Sequence, residues 1–114
     1  MNWVTPELCK FLISFTKEKK RTPRAFLSGA ITSRLNLYKK FFNEAEKYFS
    51  TIGIEVYNPA VLPITTDWEE AMDTTLKELE KSDFIYVLKN WEKSKGVKIE
   101  LVKAEALGIP IFYQ

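Results

Sequence analysis

Apolar positions follow a helical period near the N-terminus and then alternate between strand-like runs and helical stripes. Residues 5–7 are typical of a helix start, because Thr5 offers a capping hydroxyl and Pro6 suits the first helical position. One apolar stripe follows at Leu8, Phe11, Leu12 and Phe15. Such a helix can dock on its own domain, on a partner subunit or on a membrane surface. We expect docking on its own domain, since a short helix gains most of its stability from tertiary contacts.

From residue 24 onward, the pattern alternates between short apolar strands and amphipathic helices. The strands are expected at 25–29, 54–57, 83–88 and 109–113, and the helices at 36–50, 67–81 and 94–107. This alternation predicts a three-layer, flavodoxin- or Rossmann-like α/β domain over residues 23–114, with a parallel sheet of four or five strands. Residues 1–22 are expected to form an additional amphipathic helical extension. Ligands of such folds lie at the carboxyl ends of the strands, which directs attention to loops 28–34, 58–67 and 89–96.

The composition excludes several classes of function. The 114 residues include no histidine and one cysteine, so Ser–His–Asp and Cys–His nucleophilic sites, imidazole-containing zinc sites and intrachain disulfides are ruled out. Acid–base chemistry is left to carboxylates, lysines and tyrosines. The unpaired Cys9 and the absence of a secretory signal predict a cytoplasmic setting.

Charge is distributed unevenly along the chain. Residues 1–40 hold nine Lys/Arg and two acids, a net of +7, whereas the remainder has a net of −5. The basic part either attracts phosphate groups or forms ordinary solvated faces. A nucleic-acid polymer is not expected as a partner, because the aromatic residues near the basic run 17–24 belong to the apolar stripe. No apolar run approaches the ~20 residues that cross a bilayer, so no membrane partner is expected either.

The last predicted helix carries the main chemical candidate. A helical wheel places Val97, Leu101, Ala104 and Leu107 on the sheet-facing arc, and Glu100 falls inside it. A carboxylate there is costly unless it is paired or faces a cavity. Glu100 is therefore either a functional carboxylate beside the ligand crevice or an edge residue that pairs with a base or reaches solvent.

Two further features of this helix suggest contacts. Ile99, Val102 and Ala106 form a second apolar arc, which predicts burial against the N-terminal helix or a second subunit. At the helix start, Ser94 and Gly96 are compatible with an anion bound to backbone N–H groups, although Ser94 also suits an ordinary N-cap.

Several short motifs occur in a fixed order along residues 24–113. They are Phe26–Thr32, Asn58–Ala60, Trp68-Glu69, Ser82–Leu88 and Trp91-Glu92-x-Ser94-x-Gly96-x3-Glu100, followed by Ala104–Ile111. Each motif alone is loose, but the ordered set resembles the nucleoside 2-deoxyribosyltransferase superfamily. The first 22 residues lie outside the resemblance.

The resemblance implies a nucleotide-binding, N-glycosidase-type enzyme that cleaves or exchanges the base of a (deoxy)nucleoside 5′-monophosphate. It implies that Glu100 attacks the anomeric carbon and leaves a glycosyl-enzyme for water or a second base. The implied substrate-binding residues are Phe26, Ser28, Gly29, Arg34, Asn58, Thr75, Trp91, Ser94 and Gly96. It implies no cofactor or metal, a nucleoside or nucleotide as the small-molecule partner, and a homodimer or higher homo-oligomer.

Two positions depart from the family pattern. Phe26 occupies a position where the family usually has a tyrosine that orients the nucleophile, and Thr75 occupies that of an aspartate near the base. Asp73 lies about 200° round the helix from Thr75, which leaves Asp67 or Glu70 as substitutes. The alternative function is a catalytically impaired module that binds or sequesters a nucleotide. A partner-binding domain that uses the N-terminal helix is the third possibility.

Overall fold

The computed structural model describes residues 3–31, 37–62 and 67–114. In chain order they form α1 (Pro6–Lys19), β1 (Ala25–Ser28), α2 (Tyr38–Thr51), β2 (Val56–Tyr57), a 3-10 helix (Pro59–Val61), α3 (Trp68–Glu80), β3 (Phe84–Val87), α4 (Lys95–Leu107) and β4 (Ile111–Tyr113). The strand–helix alternation expected from the sequence is confirmed. The strands are shorter than predicted. In particular, β2 begins at Val56, two residues later than predicted, and ends as predicted at Tyr57, where Asn58 caps the 3-10 helix with its side chain.

The four strands form one parallel sheet in the order β2-β1-β3-β4. The inner strand β1 pairs with β3 from Ala25↔Phe84 to Ser28↔Val87, and with β2 at Phe26↔Tyr57. The chain leaves β1 toward one edge of the sheet and crosses back to β3 on its other side. This reversal makes the carboxyl ends of β1 and β3 the switch point where ligands of such sheets bind.

Alternate strand residues face opposite sides of the sheet, and each side has its own core. One side is covered by α1 and α2, and its buried core includes Leu8, Ala25, Leu27, Phe42, Ala45, Phe49, Phe84 and Tyr86. The other side is covered by α3 and α4, and its buried core comprises Phe26, Leu79, Ile85, Val87, Val97 and Ala104. The two layers of helices around the sheet confirm the predicted three-layer α/β fold.

The N-terminal helix docks on its own domain. The Thr5 side chain caps α1 by accepting a hydrogen bond from the backbone N–H of Leu8 (3.2 Å), and Leu8 is fully buried. The Phe11 ring contacts those of Phe84 on β3 and Phe112 on β4, with centroid separations of 5.5 and 5.4 Å. The apolar stripe therefore completes the core on the α1/α2 side of the sheet.

This position of α1 corrects one expectation for the second apolar arc of α4. Helix α1 lies on the side of the sheet opposite α4, so α1 does not cover Ile99, Val102 and Ala106. Val102 is 69% exposed. Leu107, which the wheel placed on the sheet-facing arc, is 45% exposed because α4 ends there, at Gly108 in the left-handed conformation.

Within the described ranges, no helix has the length and apolar character needed to cross a membrane. In the same ranges, no group of acidic and cysteine side chains is arranged so that it could hold a metal ion.

Candidate active site

A buried pair of side chains lies at the switch point of the sheet. Ser28 is the last residue of β1, and its hydroxyl donates a hydrogen bond of 2.7 Å to Oε1 of Glu100 on α4. Ser28 is 1% exposed and Glu100 is 7% exposed. Glu100 is buried because α4 turns the arc of Val97 and Ala104 onto the sheet, as the helical wheel predicts. The hydrogen bond thus joins the carboxyl end of β1 to α4.

The environment changes the protonation of Glu100. Burial raises its pKa from the ordinary 4.5 to about 7, and the hydroxyls of Ser28 and Thr75 lower it only in part. Both the protonated and the ionised forms are therefore populated near neutral pH. A carboxyl with a perturbed pKa at the ligand-binding edge of an α/β sheet is a candidate functional group.

Thr75 on α3 completes the immediate surroundings of this carboxyl. Its hydroxyl is buried, donates to the backbone carbonyl of Met72 (3.1 Å) and lies within hydrogen-bonding reach of Glu100. A hydroxyl has one proton but two acceptor lone pairs. The Thr75 hydroxyl can donate this proton to the Met72 carbonyl or to the ionised Glu100 carboxylate, and its interaction with the ionised form lowers the pKa of Glu100.

Phe26 lies below Ser28 on the same face of the sheet and is fully buried. Its ring stacks on that of Tyr57, with a centroid separation of 5.5 Å and an interplanar angle of 20°. Sequence reasoning placed Tyr57 in a strand but gave it no role in the site. Alternation along the strand indicates its face, but the register with β1 that brings it beside Phe26 is known only from the structure.

The residues at the start of α4 make contacts within the fold. The Ser94 hydroxyl accepts a hydrogen bond from the Val97 N–H (3.2 Å), and is therefore an N-cap. A Cβ atom at Gly96 would lie 3.3 Å from Sδ of Met72, so α3 and α4 lie close together at this glycine. The Lys95 ammonium lies 5.0 Å from the ring centroid of Trp68.

Two other predicted site residues, Gly29 and Trp91, are packed against neighbouring side chains, and a third falls outside the described ranges. A Cβ at Gly29 would lie 3.0 Å from Cζ of Phe42, so close packing with α2 accounts for this glycine. The Trp91 ring packs against Tyr113 at 5.7 Å. Arg34 lies outside the described residues.

Asn58 uses its side chain within the fold. Its amide donates to Asn43 and Glu46 on α2 (both 2.9 Å), and its oxygen accepts from the Ala60 N–H. These bonds connect the end of β2 to α2, which covers the side of the sheet opposite α4. They account for the buried polar side chain without a ligand.

The carboxylates considered as substitutes for the family aspartate have other partners or are exposed. Asp73 is exposed and pairs with Lys77 (3.0 Å). Asp67 caps α3 by accepting from the backbone N–H of Glu69 (3.2 Å) and of Glu70, whose own side chain is exposed. Thr75 is thus the α3 side chain that has an interaction with Glu100.

The fold and this site define an α/β domain with a buried carboxyl, hydrogen-bonded by a hydroxyl, at the carboxyl ends of its strands. The profile of a family described as a domain of unknown function (DUF4406) matches residues 23–113, so the chain belongs to this family. A comparison with curated proteins finds no match.

Among solved structures, the fold is similar to that of a 2-deoxyribosyltransferase from the psychrotolerant bacterium Bacillus psychrosaccharolyticus. The TM-score is 0.61 at 18% sequence identity, over 79% of this chain and 70% of the other. That protein is described as a biocatalyst for the synthesis of nucleosides. The resemblance to the nucleoside 2-deoxyribosyltransferase superfamily is thereby confirmed at the level of the fold.

Proposed function

We propose that the protein is an N-glycosidase-type enzyme that acts on the bond between the sugar and the base of a (deoxy)nucleoside 5′-monophosphate. The observation that carries this proposal is the buried Glu100 carboxyl, bonded to Ser28 at 2.7 Å on the ligand-binding edge of the sheet. The fold shared with a 2-deoxyribosyltransferase supports the same class of chemistry.

In the proposed reaction, an oxygen of ionised Glu100 forms a bond to the anomeric carbon while the carbon–nitrogen bond breaks. The bonding pair leaves with the base, which takes up a proton from solvent. Water then attacks the anomeric carbon and loses a proton, and the Glu100 carboxylate is released. A second base in place of water would give transfer. The Ser28 hydroxyl holds one carboxylate oxygen and so orients the other toward the sugar.

The start of α4 supports a phosphate on the substrate. Ser94 and Glu100 are six residues apart on one helix, which corresponds to about 9 Å along its axis. A 5′-phosphate and an anomeric carbon lie at opposite ends of a pentose, so one sugar can span these two positions. Backbone N–H groups and the helix dipole at Ser94 favour an anion.

The decisive experiment compares Glu100→Gln with Glu105→Gln, an exposed position on the same helix. Free base is measured by chromatography after incubation with each common nucleoside and deoxynucleoside monophosphate. Glu100→Gln keeps the side-chain shape but removes the nucleophile, so base release should fall by roughly 10³-fold or more. Glu105→Gln should retain the wild-type rate. In the wild type, kcat/KM should rise as the pH increases through about 7, because the ionised carboxylate is the reactive form.

Base release by Glu100→Gln at the wild-type rate would contradict this assignment, and so would wild-type inactivity toward the whole panel. The second result would favour a module that binds a nucleotide without turnover. Phe26 and Thr75 motivate that alternative, because Phe26 has no hydroxyl to orient Glu100 and Thr75 is not an acid that could protonate a leaving base near neutral pH. Calorimetry would then be expected to show saturable nucleotide binding.

A further inference from the structure

Tyr57 carries a buried hydroxyl that the fold leaves without a partner. Among the residues that the structure describes, its phenolic oxygen is the buried side-chain nitrogen or oxygen atom that makes no hydrogen bond. Such a group costs stability relative to a phenylalanine in the same place, since it loses water without gaining a protein partner. An unused buried donor next to a candidate active site therefore calls for a functional explanation.

The sheet register brings this hydroxyl toward Glu100. Tyr57 pairs with Phe26 across β2 and β1, and Ser28 follows two residues later on the same face. With strands about 4.8 Å apart and a two-residue rise of about 6.6 Å, Tyr57 and Ser28 are diagonal neighbours on the order of 8 Å apart. An aromatic side chain can span such a distance. Stacking on Phe26 fixes the direction of the ring.

Three charged groups face Tyr57 from the elements packed around it. Burial raises the pKa of the phenol, the negative charges of Glu78 on α3 and Glu100 on α4 raise it further, and Arg24 before β1 lowers it. Glu78 is already paired, at 2.8 Å with Arg24 and at 3.5 Å with Lys81. The Tyr57 hydroxyl thus interacts electrostatically with Glu100, on the α3/α4 side of the sheet.

Glu100 has acceptor capacity to receive this donor. Its Oε1 atom accepts from Ser28, whereas an ionised carboxylate has about four acceptor positions over its two oxygens. We propose that Tyr57 is a positioning residue for Glu100, and that its hydroxyl donates a hydrogen bond to the carboxylate once Glu100 has lost its proton. The significance for catalysis rests on the proposed function. The hydrogen bond itself does not.

The test is Tyr57→Phe, which keeps the ring on Phe26 and removes only the hydroxyl. The ionisation of Glu100 is followed by carbon-13 NMR of the full chain labelled at glutamate carboxyls, with the signal assigned by its absence in Glu100→Gln. The titration midpoint of Glu100 should rise by about one pH unit in Tyr57→Phe, because hydrogen bonds to a charged group are worth about that much. Tyr48→Phe makes the same chemical change on the α1/α2 side and should leave the midpoint unchanged.

Thermal unfolding tests the same bond without any substrate. At pH 5, where Glu100 is protonated, Tyr57→Phe should melt at the wild-type temperature or above it. At pH 9 it should melt below the wild type, because only the wild type then has the hydrogen bond to the carboxylate.

An unchanged titration midpoint, or the same melting difference at both pH values, would overturn the role of Tyr57. Neither measurement depends on turnover. Failure of the glycosidase activity and failure of the Tyr57 hydrogen bond are therefore distinguishable. If the enzyme is active, Tyr57→Phe should also lower kcat at pH 7 while KM stays close to that of the wild type.

Discussion

At the residue scale, two glycines of the site region differ in the atoms that surround them. A methyl group at Gly29 would meet the ring of Phe42 at 3.0 Å and Cβ of Leu88 at 3.3 Å, both within the core. A methyl group at Gly96 would meet the flexible end of Met72 at 3.3 Å. The first site cannot relax without moving core side chains, whereas the second can.

This contrast predicts opposite outcomes for two matched variants. Gly29→Ala should lower the free energy of unfolding by about 1–3 kcal/mol, the usual cost of forcing extra volume into a packed core. Gly96→Ala should leave it unchanged or slightly higher, because alanine favours the helix more than glycine does. Urea denaturation at pH 5 measures both. Equal stability of the wild type and Gly29→Ala would show that the Phe42 contact does not constrain this position.

The chemistry of the site is also decided at single residues. Helical periodicity alone placed Glu100 on a buried arc, and the structure has it buried. Its partners were harder to foresee. Ser28 and Thr75 were selected from the family resemblance, but hydrogen bonds to Glu100 depend on how β1, α3 and α4 pack. Tyr57 was missed because nothing in the sequence states which residue of β2 pairs with Phe26.

At the element scale, α1 stabilises the domain from outside the matched family region. It contributes Leu8 and Phe11 to the core on the α1/α2 side, and the chain after it is tied to the sheet by charge. Arg21 pairs with Asp83 at 2.8 Å, and the same carboxylate accepts from the backbone N–H of Arg24. Helix and linker are therefore expected to unfold together with the sheet.

Leu8→Ala tests this coupling. The fully buried side chain should cost about 2–5 kcal/mol on truncation, the usual range for a leucine in a core. Ile13→Ala, on the exposed face of the same helix, should change stability by less than about 0.5 kcal/mol. Chemical denaturation followed by both circular dichroism and tryptophan fluorescence should show one shared transition. If circular dichroism and tryptophan fluorescence gave different transitions for the same protein, either the wild type or Leu8→Ala, α1 would unfold independently of the sheet.

The order of elements was predictable because each helix and strand has its own period and its own start or stop residues. What could not be predicted is set between elements. The second apolar arc of α4 was compatible with cover by α1 or by a second subunit, and only the docking of α1 on the other face removes the first interpretation. Self-association and a cytoplasmic setting stay predictions.

At the scale of the whole molecule, two kinds of carboxyl act on stability in different pH windows. The hydrogen bond from Arg24 lowers the pKa of Glu78. Burial acts to raise the pKa of Asp83, but the hydrogen bonds from the Arg21 side chain and the Arg24 backbone lower it overall. These groups stabilise the fold above their unfolded pKa values and lose that effect as the pH falls through the native ones. Glu100 is the opposite case, because its pKa is raised to about 7.

Between about pH 4.5 and 7, the native state binds a proton at Glu100 that the unfolded chain releases. Stability therefore falls as the pH rises through this window, by about 3 kcal/mol when one pKa unit corresponds to 1.36 kcal/mol. The wild type should be most stable near pH 5. Glu100→Gln cannot ionise, so its free energy of unfolding should match that of the wild type near pH 4.5 and exceed it by about 3 kcal/mol at pH 8.

Urea unfolding at half-unit steps from pH 4 to 9 measures this difference, with Glu105→Gln as the control that should parallel the wild type. If Glu100→Gln also runs parallel to the wild type, the carboxyl is ionised at its ordinary pKa and is not desolvated in solution. If the curves diverge above pH 4.5, the ionisation of buried Glu100 lowers the free energy of unfolding of the whole domain near neutral pH. Such a cost is expected of a catalytic group, because a fold selected for stability alone would place glutamine or an apolar residue at position 100.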